Sequence, residues 1–220
     1  PYGTPRVLLD SRLVYGRVNH MLSQNTFYEV LVANYHRDFQ SRVYDSPDLY
    51  EILPQRSSGE FSIVGEDWVY FDSDFARNEV KVNLTSQVSR VHQLRVGVTG
   101  EWLTTTMRRY NPDPGLDSTG TLQFGIRESY DFEPRKYSAY VMDKMEFDEI
   151  GMVLNLGARV DYIDPNRPYP ADITEPFGEV RDQKSHVYVS PRIGVSFPIA
   201  EDAAFRFGYG SYYQFPDFFQ

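Results

Sequence analysis

Apolar and polar residues alternate along this chain with a period of two. In "MVLNLGARVDYID" (Met152–Asp164), Met152, Leu154, Leu156, Ala158, Val160 and Tyr162 share one face of an extended chain. Val153, Asn155, Gly157, Arg159 and Asp161 share the other. "LRVGVTGEW" sets Leu94, Val96, Val98, Gly100 and Trp102 against Arg95, Gly97, Thr99 and Glu101. The stretches "EVKVNLTS", "VYVSPRIGVSF" and "FRFGYGSYYQ" repeat the pattern, and it recurs less cleanly over Arg12–Leu22, Thr26–Phe39 and Tyr137–Phe147. No stretch carries a 3.6-residue apolar period, so the pattern predicts an all-β chain of about eight strands.

Several of these strands run to about ten residues or more, whereas globular strands cluster near five or six. A tilted strand needs about 9–11 residues to cross a bilayer. The connections sharpen the choice. "SQN", "QVSRV", "DEI" and "PIAED" are short, and they alternate with long links at about 40–75, 104–136 and 164–185. Short turns at one end and long loops at the other are the signature of an antiparallel up-and-down transmembrane β-barrel. On this topology the long links are extracellular and both ends of the sequence lie on that side. The whole of 1–220 is then one partial barrel domain, a consecutive run of staves from a larger barrel. A soluble all-β module whose apolar faces meet each other and a porin-like passive channel are the alternatives.

Composition leaves that picture standing. Hydrophobic residues make up 41% of the 220 residues and aromatics 15%, with 17 Tyr and 15 Phe, a profile of pleated and half-wet surface. The mean hydropathy of −0.49 does not exclude a membrane barrel, whose lumen and loops are polar. A net charge of −9 argues against a nucleic-acid partner. The absence of cysteine excludes disulfide scaffolds and thiol chemistry.

Enzyme signals are missing. His20, His36, His92 and His186 are scattered, none at metal-ligand spacing, and no nucleophile elbow, P-loop or zincin motif occurs. Asp72-Ser73-Asp74 opens like a calcium loop but lacks the glycine and the closing glutamate. We therefore expect no catalytic residue, metal or cofactor. Arg95, Glu101, Arg159, Asp161, Arg192 and Arg206 fall on the polar faces and are expected to line a lumen as a cross-strand ladder. Trp102, Tyr162, Tyr209 and Tyr213, near strand ends, suit interfacial aromatic girdles. Ligand capture is expected from the long links, where "GEDWVYFDSD" and "MRRYNPD" place Trp68, Tyr70, Arg108, Arg109 and Tyr110 beside charge.

Four segments carry a family resemblance: "NTFYEVLVANYHRDF", "YSAYVMDKMEF", "LNLGARVDYI" and "VSPRIGVSFPIAEDAAFRFGYGSYYQFPDF". They resemble the barrel of TonB-dependent outer-membrane receptors, of the type with a carboxypeptidase-like regulatory domain ahead of the plug. The resemblance implies a 22-stranded barrel in the outer membrane of a Gram-negative bacterium. It also implies an N-terminal plug domain, an energy-transducing complex in the inner membrane, and uptake of a scarce nutrient too large for porins. The sequence departs from the family in containing no plug and no energy-coupling box. Its expected partners are outer-membrane lipid, the plug and the remaining barrel.

Overall fold

A computed structural model describes residues 4–46, 70–111, 126–170 and 180–213. The alternating segments become β1 (Arg6–Ser23), β2 (Thr26–Arg42), β3 (Tyr70–Gln87), β4 (His92–Asn111), β5 (Ile126–Phe132), β6 (Arg135–Phe147), β7 (Met152–Asp164), β8 (Pro168–Pro170), β9 (Val180–Asp182), β10 (His186–Ala200) and β11 (Ala203–Gly210). They form one antiparallel sheet in the order β1-β2-β3-β4-β6-β7-β10-β11, with β5 beside β4, and a separate β8–β9 hairpin. Each stave pairs with its chain neighbours, the up-and-down topology expected of a barrel arc. Among the described residues β1 and β11 do not pair with each other, so the arc is open. No second sheet packs against the first there, as a sandwich would require.

β5 and β6 are one stave with an interruption. Phe132 lies opposite Thr105 and Arg135 opposite Trp102, so the register is the same on both sides of the gap. The interruption is Pro134, which has no N–H to donate. Its carbonyl still accepts from the Leu103 N–H at 3.0 Å, and its side chain is buried.

Register sorts the side chains. Val18, Val30, Val82, Val98, Ala139, Val160 and Val189 form one continuous cross-strand row. One residue along, on the opposite face, runs the row Arg17, Leu31, Lys81, Thr99, Ser138, Asp161 and Tyr188. Val98 is 51% exposed and Val160 42%, whereas Asp161 is 9% exposed and Ser190 1%. This inverts the arrangement of a water-soluble protein. The polar face is the covered one, as the inner face of a curled sheet must be.

Aromatic rings bound the apolar face. On one side Trp102, Tyr137 and Tyr162 touch in series, with ring centroids 5.9 Å and 6.1 Å apart, and the Trp102 indole N–H donates to the Tyr137 hydroxyl at 3.1 Å. On the other side Phe147 lies opposite Met152, and the Phe197 and Phe205 rings stand 5.2 Å apart. From Met152 to Tyr162 the strand advances about 33 Å at ~3.3 Å per residue. A tilt of roughly 35–45° turns that into about 25 Å of height, the thickness of the apolar band of a membrane barrel.

The strands extend further than alternation predicts. β3 has 18 residues and β4 has 20, against the roughly 9–11 that cross a bilayer. The predicted link 40–75 therefore shortens to 43–69, and much of 104–136 is the β4–β5 ladder. The link 164–185 carries β8 and β9. Past the aromatic row the outward face of β3 changes from Leu84, Val82 and Val80 to Asn78, Asp74 and Asp72, while Phe75 on the covered face is buried, so the two-residue period does not continue in phase. Asp72-Ser73-Asp74 is thus strand rather than loop, with Asp74 bonded to His36 Nε2 at 2.7 Å.

One glycine is required by packing. A Cβ on Gly97 would run into the Tyr140 ring and the Asn83 side chain, whose Oδ1 accepts from the Tyr140 hydroxyl at 3.0 Å. Gly97→Ala should displace Tyr140 and cost about 1–3 kcal/mol. Gly16→Ala, with nothing within 4 Å of the added Cβ, should stabilise by about 0.4–1 kcal/mol. Urea unfolding of the two variants tests this; equal effects at the two sites would refute it.

Candidate functional site

The covered polar face collects the charges singled out from the sequence. Arg95 lies opposite Met142, Glu101 opposite Lys136, and Arg159 opposite Tyr140. Asp161 lies opposite Ser138, Arg192 opposite Gly157 and Gly210, and Arg206 opposite Ser196. All six therefore share that face.

Three adjoining recesses run along it. The first, of about 230 Å³, is lined by Thr99, Glu101, Lys136, Ser138, Arg159 and Asp161 among others. The second, of about 190 Å³, is lined by Arg95, Tyr140, Met142, Gly157, Arg159 and Arg192 among others. The third, of about 550 Å³, has Asn155, Gly157, Arg192, Gly194, Gly208 and Gly210 in its wall. Arg159 borders the first two and Arg192 the last two, so the recesses form one continuous groove.

The wall is held by side-chain bonds across the strands. Arg159 Nε donates to both Asp161 carboxylate oxygens, at 2.8 Å and 3.0 Å, and Nη2 reaches Oδ1 at 2.8 Å. The two residues sit two apart on β7, where alternation brings them to one face. Tyr140 bonds to Asn83, the Asn83 amide donates to Glu29 at 3.4 Å, and Arg17 approaches Glu29 at 3.6 Å. Arg192 lies 4.7 Å over the Tyr212 ring, and Arg95 Nη2 donates to Gln93 at 2.9 Å. Neither Arg95 nor Arg192 pairs with a carboxylate among the described residues.

The residues expected to capture ligand are not brought together. Trp68 lies outside the described residues. Tyr70 and Tyr110 lie opposite each other and are only 6% and 8% exposed, packed with Val43 and Tyr44 beneath the Arg42 side chain. They brace the base of a link instead of presenting rings to a solute. Arg108 faces outward opposite Asp72 and Ser129, while Arg109 faces the covered side, 3.9 Å from Glu128. The physical reason is that β3 and β4 remain strands through Tyr70 and Asn111, so consecutive residues point opposite ways. Tyr213 is likewise not part of an outer girdle; it lines the first recess and stacks on Tyr188 with centroids 4.6 Å apart.

Sequence reasoning passed over Tyr140, Met142 and Gly157 as groove residues. The available signal was Gly97 and Gly157 inside strong strand patterns, since a strand glycine marks a close approach. No group of three or more metal-ligating side chains occurs among the described residues.

The family model described as TonB dependent receptor-like, beta-barrel matches residues 2–220. No curated protein matches the chain.

The Arg159–Asp161 pair gives a direct test of the wall. Asp161→Asn should destabilise by about 1–3 kcal/mol, because it leaves a guanidinium without its partner beside a covered amide. In the Arg159→Gln/Asp161→Asn double variant the loss should be smaller than the sum of the single losses by about 0.5–3 kcal/mol. Strict additivity in a double-mutant cycle would show that the two act independently.

Proposed function

The chain belongs to the TonB-dependent receptor-like β-barrel family, and we propose that it forms one arc of an outer-membrane receptor wall that takes up a scarce nutrient by binding and energised transport. The family is one of transporters, and the covered groove offers binding surface without a catalytic constellation. The observation that carries the reading is the inversion of faces. Open valines stand between two aromatic rows about 25 Å apart, and the polar Asp161 and Ser190 are buried on the face behind them. In this reading the apolar face meets outer-membrane lipid of a Gram-negative bacterium and the groove faces the lumen. The links at about 43–69, 112–125 and 165–185 are extracellular.

The transported solute is a siderophore, glycan, peptide or compound of similar size, first met by those links. Arg108 on the outward face of β4 and Trp68 in the first link contact it. A plug domain and the rest of the barrel complete the lumen, an inner-membrane energy-transducing complex drives the cycle, and a carboxypeptidase-like domain precedes the plug. Glu101, Arg159, Asp161 and Arg206 hold the wall and the plug by polar contacts.

Two measurements test this. Val98→Arg, in the middle of the open apolar row, should cost about 2–4 kcal/mol in urea titrations of protein folded into phospholipid vesicles. Thr99→Arg on the other face should cost under about 1 kcal/mol, because that face is already polar and wet. Equal penalties, or a monodisperse monomer without detergent, would overturn the membrane assignment. In cells, removing the inner-membrane complex should abolish accumulation of the ligand against its gradient while leaving surface binding intact. Unchanged accumulation would identify a passive channel instead.

A further inference from the structure

The middle recess has a charge balance that its neighbours lack. Arg95, Met142, Gly157, Arg192 and Gly210 form a single cross-strand row running over β4, β6, β7, β10 and β11. The two arginines stand three strand spacings apart, about 14 Å between Cα atoms. The residue beside Arg192 in this row is Gly157, where an added Cβ would lie 3.0 Å from the Val141 carbonyl oxygen. The floor between the arginines is therefore bare backbone and the Met142 side chain. Arg159, one row away on β7, supplies a third guanidinium to the rim.

Asp161 neutralises Arg159 through three contacts. Among the described residues nothing comparable neutralises the other two: Arg95 has only the neutral Gln93 amide, Arg192 only the Tyr212 ring, and no carboxylate lines the recess. Two uncompensated guanidiniums converging on about 190 Å³ occur in a chain whose net charge is −9. The acid that produces that net charge lies elsewhere, including the outward row Asp10, Asp38 and Asp74.

We propose that the recess bounded by Arg95, Arg159 and Arg192 is an oxyanion site that takes a carboxylate or phosphate group. A planar guanidinium binds such a group through paired, charge-assisted N–H donors. The volume accommodates the charged group and its immediate attachment. The anion is either part of a solute in the lumen or an acidic side chain of the plug. The chemistry at the arginines is the same in both cases. The proposal rests on the covered face being the inner wall of the barrel, as read above.

The test uses the full-length receptor in detergent, with inorganic phosphate as the probe and chloride at matched ionic strength as the control. Thermal unfolding is followed for the wild type, Arg95→Gln/Arg192→Gln and Arg95→Lys/Arg192→Lys. Heat-modifiable gel mobility identifies the folded barrel, and Arg192→Gln alone serves if the double variant does not fold. If the site is open to solutes, phosphate raises the wild-type Tm beyond chloride. The Gln variant should then bind phosphate at least about tenfold more weakly, and the Lys variant should keep most of the response. If a plug carboxylate fills the site, the wild type ignores phosphate, the Gln variant unfolds at lower temperature, and the Lys variant restores the loss. A Gln variant that matches the wild type in both respects, or a loss that Lys does not rescue, overturns the anion site. The membrane reading fails separately, through the Val98 and Thr99 comparison, which does not involve phosphate.

Discussion

A peptide group carried into hydrocarbon must arrive with its N–H and C=O already bonded, because the bilayer core offers no water to replace a missing partner. The rest of this structure depends on that constraint. Each stave satisfies its backbone against its chain neighbours, so the order of the sheet is the order of the sequence. The one interruption obeys the same rule. Pro134 removes the donor that would return to the Leu103 carbonyl, and it does so one row beyond the Trp102–Arg135 pair, outside the span bounded by aromatic rings.

Once the ladder is set, the two-residue period leaves every stave with two faces that meet different solvents. The open face carries Val98, Val141, Val160 and Val189, which gain nothing from being covered by protein if lipid covers them. Ionisable side chains break that face among the described residues: His20, opposite Tyr28, and the His92–Asp143 pair. Asp143, opposite Leu94 and Leu156, holds His92 Nδ1 at 2.7 Å, the pairing expected where a charge approaches an apolar medium. The other face carries Arg95, Arg159 and Arg192, and a fixed charge there is stabilised by a same-face neighbour, as Arg159 is by Asp161 two residues along β7, or held ready for an external anion. The acidic character of the chain is compatible with an arginine row in its groove, because register gathers Arg95 and Arg192 in one covered row while Asp10, Asp38 and Asp74 fall in an outward one.

Much of the candidate site was legible beforehand. Alternation through Arg95, Glu101, Arg159, Asp161, Arg192 and Arg206 was enough to put them on polar faces, and the short and long links were enough to make those faces one. Alternation failed beyond the aromatic row. From Asn78 to Asp72 the outward positions of β3 become largely polar while Phe75 on the covered face is buried, so the apolar positions change face and the period set by Val80, Val82 and Leu84 breaks. That failure misplaced Tyr70, Arg108, Arg109 and Tyr110 as loop residues, when the ladder continues through them and buries two of the four. The join of β5 to β6 was equally invisible, since a proline in sequence reads as a strand end.

The sequence by itself determined the all-β class, the two-faced staves and their up-and-down order, because hydrophobic period and loop length are local properties of the chain. Only the tertiary structure decided which arginines keep a carboxylate and which do not, and that Gly157 clears a floor between Arg95 and Arg192. Those facts depend on which residues of four different strands fall in one row. A shift of one residue in any pairing would exchange every face, so register, a long-range property, sets the chemistry of the groove.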